Sequence, residues 1–345
     1  MKQSRKCGTK IFLIKEKPSP CVKVFLFKHH SSILLFLQSM KKVLVVYFTQ
    51  TGQLSSAVKA TLQPLENDQQ VEIHYEQIKP VKEYPYPWSY TEFFDIFPET
   101  VHGIPCELQP FTFDPEINYD LVVIAYQPWF LSVCVPINSF LQSAEAKKLL
   151  KGKPVITVIA CRNMWLNAQE KMKQQLLDLE ALLVGNITFV DKSANLISLV
   201  TVLAFVLKGE QGKFLGIFPK YGIKKNDLEK APSFGNVIIE NLRSGDYNNL
   251  QELLVNEGSV NIRSNLLLME GRGKVLFPLY ANYISKKGSS GNKNRRTRVR
   301  IFGIALPTAI LILSPIITIV SRLAPLVARK KMEKEITYYS QNSLR

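Results

Sequence analysis

The chain has 345 residues, room for one large domain or two ordinary ones, and a formal charge of +16. The ends carry that charge, +7 on residues 1–39 and +11 on residues 286–345, leaving −2 on residues 40–285. Because a nucleic-acid-binding domain carries its basic residues on the folded body, nucleic acid is excluded as the expected partner, and basic tails beside apolar segments point to an anionic membrane surface.

Five cysteines form no CxxC pair, and their odd number argues against a disulfide scaffold and for a reducing cytoplasm. Of the four histidines two, His29 and His30, lie in the leading tail, so no metal site is expected. Residues 1–39 alternate basic and apolar. Their clusters are broken by Lys15, Lys17 and Lys28, and Gln38-Ser39-Met40 is a poor cleavage site, which does not suit a secretory signal. Met40 directly precedes the first strand, so residues 1–39 are expected to be a misassigned leader or a disordered extension.

Val43–Phe48 is an unbroken apolar run suited to a strand buried on both faces. Thr49-Gln50-Thr51-Gly52-Gln53 supplies hydroxyls, amides and a glycine, and Leu54–Leu65 follows as a helix. A strand, a hydroxyl-rich turn and a helix start make an anion site, because free backbone N–H groups point at the ligand and the helix dipole favours negative charge. No Lys or Arg lies between Val43 and Val58, and a P-loop lysine is missing. The expected anion is a phosphate held by neutral donors, as a flavin mononucleotide phosphate can be.

Val71–Ile78 alternates like an edge strand. Residues 80–118 are rich in aromatics and proline, suiting a lid over an apolar substrate or a satellite core. Leu121–Ala125 is a second buried strand, and Ile137–Leu150 reads as a helix with Pro136 at its start. Val155–Ala160 is a third, Gln169–Val184 an amphipathic helix and Ile187–Val190 the fifth strand. This alternation is the signature of an α/β fold whose parallel sheet is covered on both faces. Ligands then sit beyond the carboxyl ends of the strands, where the loops 49–53, 126–132 and 161–165 fall.

Leu196–Leu207 is apolar almost all round but too short to span a bilayer, and reads as a buried or an interfacial helix. Phe214–Tyr221 is placed at a substrate entrance, and Asp227–Leu279 reads as globular with a helix near Tyr247–Val255. The domain-like unit thus covers 40–285. Residues 286–300 read as an exposed basic linker. Ile301–Ser321 runs 21 residues without a charge between basic flanks, and 322–345 is a basic tail. With Pro307 and Pro315 inside it, the apolar segment reads as a kinked transmembrane helix or a shallow insertion.

The stretch TQTGQLSS at 49–56 resembles the phosphate loop of flavodoxins, with Gln53 where an Asn is usual and Leu54 where a hydroxyl is. YDLVVIAYQPWFLS at 119–132 and CRNMW at 161–165 resemble the second and third flavin loops of flavodoxin-like reductases. Across nearly all of 40–330, MKKVLVVYFTQTGQL, YPYPWSYTEFFDIFPETV and CRNMWLNAQEKM together resemble the dialkylresorcinol condensing enzyme family. The resemblance implies a flavodoxin-like three-layer sandwich with a five-stranded parallel sheet. It also implies aromatisation of a dialkyl-cyclohexanedione in flexirubin-type lipid biosynthesis beside a ketosynthase-type partner.

The residues expected to hold FMN are Thr49, Gln50, Thr51, Gly52, Gln53 and Ser55 at the phosphate, then Gln127, Pro128, Trp129 and Phe130, then Cys161, Asn163 and Trp165. Trp129 is a stacking surface for the ring, whereas Cys161 reads as an inert thiol rather than a nucleophile. His74 or His102 is a candidate base, and Tyr126 or Arg162 a candidate enolate partner. The expected partners are a lipid-like dialkyl substrate, the cytoplasmic face of the cell membrane, the ketosynthase and a second copy of the chain. The alternatives are an NAD(P)H-dependent FMN quinone or flavin reductase and a flavin-free scaffold.

Overall fold

Val43 to Val46 are wholly buried with side chains alternating between two cores, and the sheet is built around them. Strand β1 (Lys41–Tyr47) is flanked by β2 (Val71–Gln77) and β3 (Leu121–Tyr126). Beyond β3 come β4 (Pro154–Cys161) and β5 (Leu182–Val190). The computed structural model describes residues 40–193, 195–209, 212–218 and 220–344, so the expected extension 1–39 lies outside it. All pairings are parallel, in the order β2-β1-β3-β4-β5. That is the flavodoxin-like order, whose topological switch point lies between β1 and β3.

Helices cover both faces. Val43 and Val45 meet Leu54 and Leu62 of α1 (Gln53–Glu66), and Leu44 and Val46 belong to the opposite core. There α4 (Val135–Leu141) and α5 (Ala144–Leu150) follow β3, while α2 (Tyr90–Asp95) and α3 (Phe97–His102), which precede β3, belong to a separate aromatic core. Ser143 breaks the helix expected over Ile137–Leu150, because its hydroxyl caps α5 by accepting from the Ala146 N–H at 3.1 Å. Helix α6 is Leu166–Asp178 rather than Gln169–Val184. Glu180 turns the chain with a φ of +56°, and β5 starts at Leu182, earlier than expected.

After β5 come α7 (Asn195–Lys208), α8 (Lys225–Lys230), α9 (Pro232–Ser244) and α10 (Leu250–Asn256). Helix α9 lies so close on α1 that a Cβ on Gly235 would sit 2.1 Å from the Thr61 carbonyl oxygen. The last pair is α11 (Ser264–Ser285) and the 45-residue α12 (Arg296–Ser340). Val299 and Phe302 of α12 pack with Phe94 and Phe97, so the aromatic stretch does form a satellite core.

Residues 286–300 are not simply an exposed linker. Arg295 is wholly buried, with its Nε 2.7 Å from Asp95 Oδ1 and its Nη1 2.7 Å from Glu99 Oε1. Nor is 322–345 a free tail. Tyr338 donates to Glu170, Lys173 Nζ donates to the Ser343 carbonyl at 3.2 Å, and Gln251 Nε2 to the Ser340 carbonyl at 2.8 Å. Among the described residues one helix, Lys293–Ile317, is long and apolar enough to cross a membrane by length and composition.

Candidate functional site

The three loops predicted at the sheet's carboxyl edge line one cleft of about 260 Å³. Gln50, Thr51 and Gln53 come from the first loop, Gln127, Pro128, Trp129 and Phe130 from the second, and Cys161, Arg162 and Asn163 from the third. Helices complete the walls with Leu199, Val202 and Leu203 of α7 and Leu306, Pro307 and Ile310 of α12. The aromatic stretch adds Tyr86, Trp88 and Phe93, and so serves as a wall of the cleft as well as a satellite core.

The first loop is a tight turn. Gly52 adopts φ +78°, its N–H donates to Thr49 Oγ1 at 3.1 Å, and the Ser55 and Ser56 hydroxyls donate back to its carbonyl at 2.9 Å. Gly52 offers no side-chain cap to α1, and no acid stands in the helix's first turn. The N–H groups that open α1 therefore have no side-chain cap and no neighbouring acid, with the positive end of the dipole behind them. Leu54 is wholly buried behind the turn and lines the cleft. Gln50 is held by its amide, which donates to the Tyr84 and Pro85 carbonyls at 3.4 and 3.3 Å and accepts from Trp88 Nε1 at 3.3 Å.

The second loop is a short hairpin pairing Pro128 with Val133 and Trp129 with Ser132. Its tip residues, Phe130 and Leu131, adopt φ +45° and +60°. Non-glycine residues at positive φ cost roughly 1–3 kcal/mol each, and packing offsets that here. Phe130 lies 5.2 Å from both Phe93 and Phe97, centroid to centroid, and Leu131 fills the space that a Cβ on Gly273 of α11 would need. Trp129 meets Phe48, Tyr84 and Trp88 edge-to-face at 5.2–5.9 Å while also facing the cleft.

In the third loop Arg162 is the one formally charged side chain among the described cleft-lining residues. Its Nε donates to Ser198 Oγ at 3.2 Å, and Ser198 donates to Asp191 Oδ2 at 3.2 Å. Burial pulls the guanidinium down from its ordinary value, with Tyr221 and Asp191 opposing that pull; an arginine stays cationic at neutral pH all the same. Burial pushes the Cys161 thiol up, so it is a thiol and not a thiolate.

Several expected residues lie elsewhere. Tyr126 is core: its hydroxyl donates to Gln169 Oε1 at 2.8 Å, and Gln169 Nε2 donates to Thr157 Oγ1 at 3.0 Å. Trp165 is wholly buried with Met172, because the chain enters α6 there and turns the ring inward. His102, the last residue of α3, lines a separate cavity with Ser132 and Lys171. His74 lies on edge strand β2, 3.9 Å from Glu76, whose carboxylate accepts the Thr112 and Phe113 N–H groups. Thr49, Gly52 and Ser55 shape the first turn without lining the cleft.

One feature extends the substrate entrance expected at Phe214–Tyr221, of which Tyr221 lines the cleft, and a second was not foreseen from sequence. Tyr221-Gly222-Ile223 abuts the first loop, where Gln53 Oε1 accepts from the Ile223 N–H at 3.3 Å. Gly222 adopts φ +106°, which L side chains rarely take, and a Cβ there would also have to push the Gln53 side chain aside. Glu270 of α11 caps α6 from a distance, accepting from the Leu166 N–H at 2.9 Å and the Asn167 N–H at 2.7 Å. The sequence signal is slight: one carboxylate in an otherwise neutral opening of α11.

Burial pushes Glu270 up to about 7, against the pull of those backbone N–H groups. Its folded pKa lies above the unfolded value of about 4.3, so in that window the native state binds more protons. Stability should therefore fall as pH rises from about 4.5 to 7, by on the order of 3 kcal/mol. Denaturant melts across this range are expected to show that slope in the parent chain and a flattened one in Glu270→Gln.

The residues fit flavin mononucleotide: an uncapped, acid-free helix start for the phosphate, and apolar walls with neutral amides for a planar ring. No protein-family model matches the chain, and no curated protein matches it. Solved structures are similar to it. A flavoprotein from Lactobacillus acidophilus NCFM in complex with FMN is 17% identical over 43% of this chain and 93% of its own, with a TM-score of 0.35. A putative flavoprotein from Bacteroides uniformis is 19% identical over 44% and 92%, with a TM-score of 0.34. A flavodoxin from the domain Archaea is 10% identical over 59% and 99%, with a TM-score of 0.33. The flavodoxin-like fold itself rests on the strand order.

Proposed function

We propose that this chain is a flavin-dependent oxidoreductase that aromatises a dialkyl-cyclohexanedione to a dialkylresorcinol at the cytoplasmic face of the cell membrane, beside a ketosynthase-type partner. One observation carries the reading. All three loops at the carboxyl edge of the sheet line a single cleft in which, among the described residues, Arg162 is the one cation and the other lining groups are apolar or neutral. Aromatisation removes two hydrogens from the ring, one as hydride and one as a proton, and bound FMN supplies the hydride acceptor.

The chain's own residues have distinct parts. The start of α1 would hold the phosphate of FMN, and Trp129 and Phe130 would offer the ring an aromatic wall. Arg162 faces the substrate oxygen that gains negative charge as the proton leaves. The apolar side chains of α7 and α12 exclude water and give two alkyl chains a path outward. NAD(P)H feeding such a site would make it a quinone or flavin reductase.

A visible spectrum of the purified full chain tests the reading. The expected result is a yellow protein whose flavin band bleaches on adding a dialkylcyclohexanedione without NAD(P)H. Bleaching by NADPH alone would favour the reductase. A colourless protein that takes up no FMN would favour a flavin-free scaffold. One observation speaks for that second reading: the Ser55 and Ser56 hydroxyls are turned back onto Gly52 and leave the phosphate only backbone donors.

A further inference from the structure

Between residues 301 and 320, α12 is apolar on two opposite faces. Val299, Phe302 and Ile317 are buried on the body, while Ile301, Ile304, Leu311, Ile312, Ile316 and Ile319 are exposed, Ile304 to 66%. At about 100° per residue these six form one stripe on the side away from Phe302 and Ile317, while exposed Leu313 and Val320 lie on the side of those two residues. Helix α11, which packs on α12 through Phe277 and Phe302, adds exposed Val275, Leu276 and Leu279. Basic side chains border this apolar patch. Exposed Lys286, Lys287, Lys293, Arg296 and Arg300 stand at one end of α12, and exposed Arg329, Lys330, Lys331 and Lys334 toward the other.

Both ends of α12 are fastened to the same body. Arg295 is buried between Asp95 and Glu99 at one end. At the other, Tyr338 to Ser343 are clasped by Glu170, Lys173 and Gln251, with Lys173 Nζ 4.8 Å from the Tyr338 ring centroid. A helix crossing a hydrocarbon layer about 30 Å thick between residues 301 and 321 would carry Tyr338 to the far side, out of reach of α6 and α10. We infer that α12 does not cross: it lies in the plane of one anionic leaflet, apolar stripe in the lipid, basic ends at the headgroups, and C-terminal clasp closed. Leu306, Pro307 and Ile310, on the flank of the same helix, line the cleft, so the cleft wall is continuous with the lipid-facing helix.

The inference rests on the membrane association proposed above, and the test separates the two. The full chain is floated with phosphatidylcholine vesicles with and without phosphatidylglycerol, and a membrane-impermeant maleimide is applied to sealed membranes with the cytoplasmic face outward. Lys59→Cys marks the body and Gln341→Cys the clasp, each read against the parent chain's own thiols. Expected are flotation that depends on phosphatidylglycerol and weakens in salt, and labelling of both sites without detergent. The Ile304→Asp, Leu311→Asp double variant, with an unchanged circular dichroism spectrum and melt, is expected to bind vesicles at least about tenfold less.

Labelling of Gln341→Cys only after detergent, with Lys59→Cys open throughout, would overturn the in-plane arrangement and leave membrane association standing. Undiminished flotation of the double variant would overturn the lipid-facing stripe. Failure to float with any vesicle would overturn both readings.

Discussion

Arg295→Ala is expected to destabilise the fold by about 3–5 kcal/mol, because it strands two largely buried carboxylates. Arg295 exposes no surface, and its guanidinium meets Asp95 through Nε at 2.7 Å and Glu99 through Nη1 and Nη2 at 2.7 and 3.0 Å. Removing it leaves the desolvation cost of Asp95 and Glu99 in place with the compensating cation gone. Arg295→Lys keeps the charge but not the forked geometry, and an intermediate loss is expected. Thermal melts read both. An Arg295→Ala melt equal to that of the parent would show that the fold does not depend on this ion cluster.

The same cluster sets an acid limit. Burial pushes the Asp95 carboxyl up, but hydrogen bonds from Arg295, the Gly291 N–H and Ser290 outweigh it and hold the group below its ordinary value. A carboxyl with a lowered folded pKa contributes stability above its unfolded value, about 3.9, and loses it as pH falls through the folded one. The parent chain should therefore lose stability steeply below about pH 4, and Arg295→Ala should lose much of that dependence. Because the cluster fastens α12 beside the cleft, the variant is also expected to change the environment of Trp88 and Trp129, which fluorescence can follow.

Gln53→Glu is expected to separate folding from ligand binding. The change is nearly isosteric and keeps an oxygen for the Ile223 N–H, so the contact between the first loop and Tyr221-Gly222-Ile223 survives. A carboxylate in the first turn of α1, where none stands now, complements the dipole and is expected to raise stability by roughly 0.3–1 kcal/mol. The same charge repels a phosphate at that helix start. Flavin affinity should fall at least about tenfold, equivalent to about 1.4 kcal/mol, while the melting temperature holds or rises. Unchanged FMN affinity in a fluorescence titration would place the phosphate away from α1.

The strands and their sequence of connections were legible because their signals are local. Val43–Val46 and Leu121–Ala125 are apolar without interruption since both faces are covered, and β2 alternates since it is an edge. The convergence of loops 49–53, 126–132 and 161–165 followed from that alternation, and the cleft brings residues from each together. Which face of each loop reaches the cleft was not legible. Trp165 and Tyr126 stand at positions that look open in sequence, but the turn into α6 and the buried Gln169 draw them inward.

By itself, then, the sequence determined the α/β alternation, the buried strands, the acid-free helix start after Gly52 and the uneven charge, because each depends on neighbours a few residues apart. Only the tertiary structure decided that Arg295 would seek carboxylates 200 and 196 residues away, that Glu270 would cap a helix 103 residues upstream of it, and that Tyr338 would return to Glu170. Those pairings carry no periodic signal. They arise because buried charges and open helix ends take whatever partner the packed chain brings within about 3 Å, and that depends on the whole fold at once.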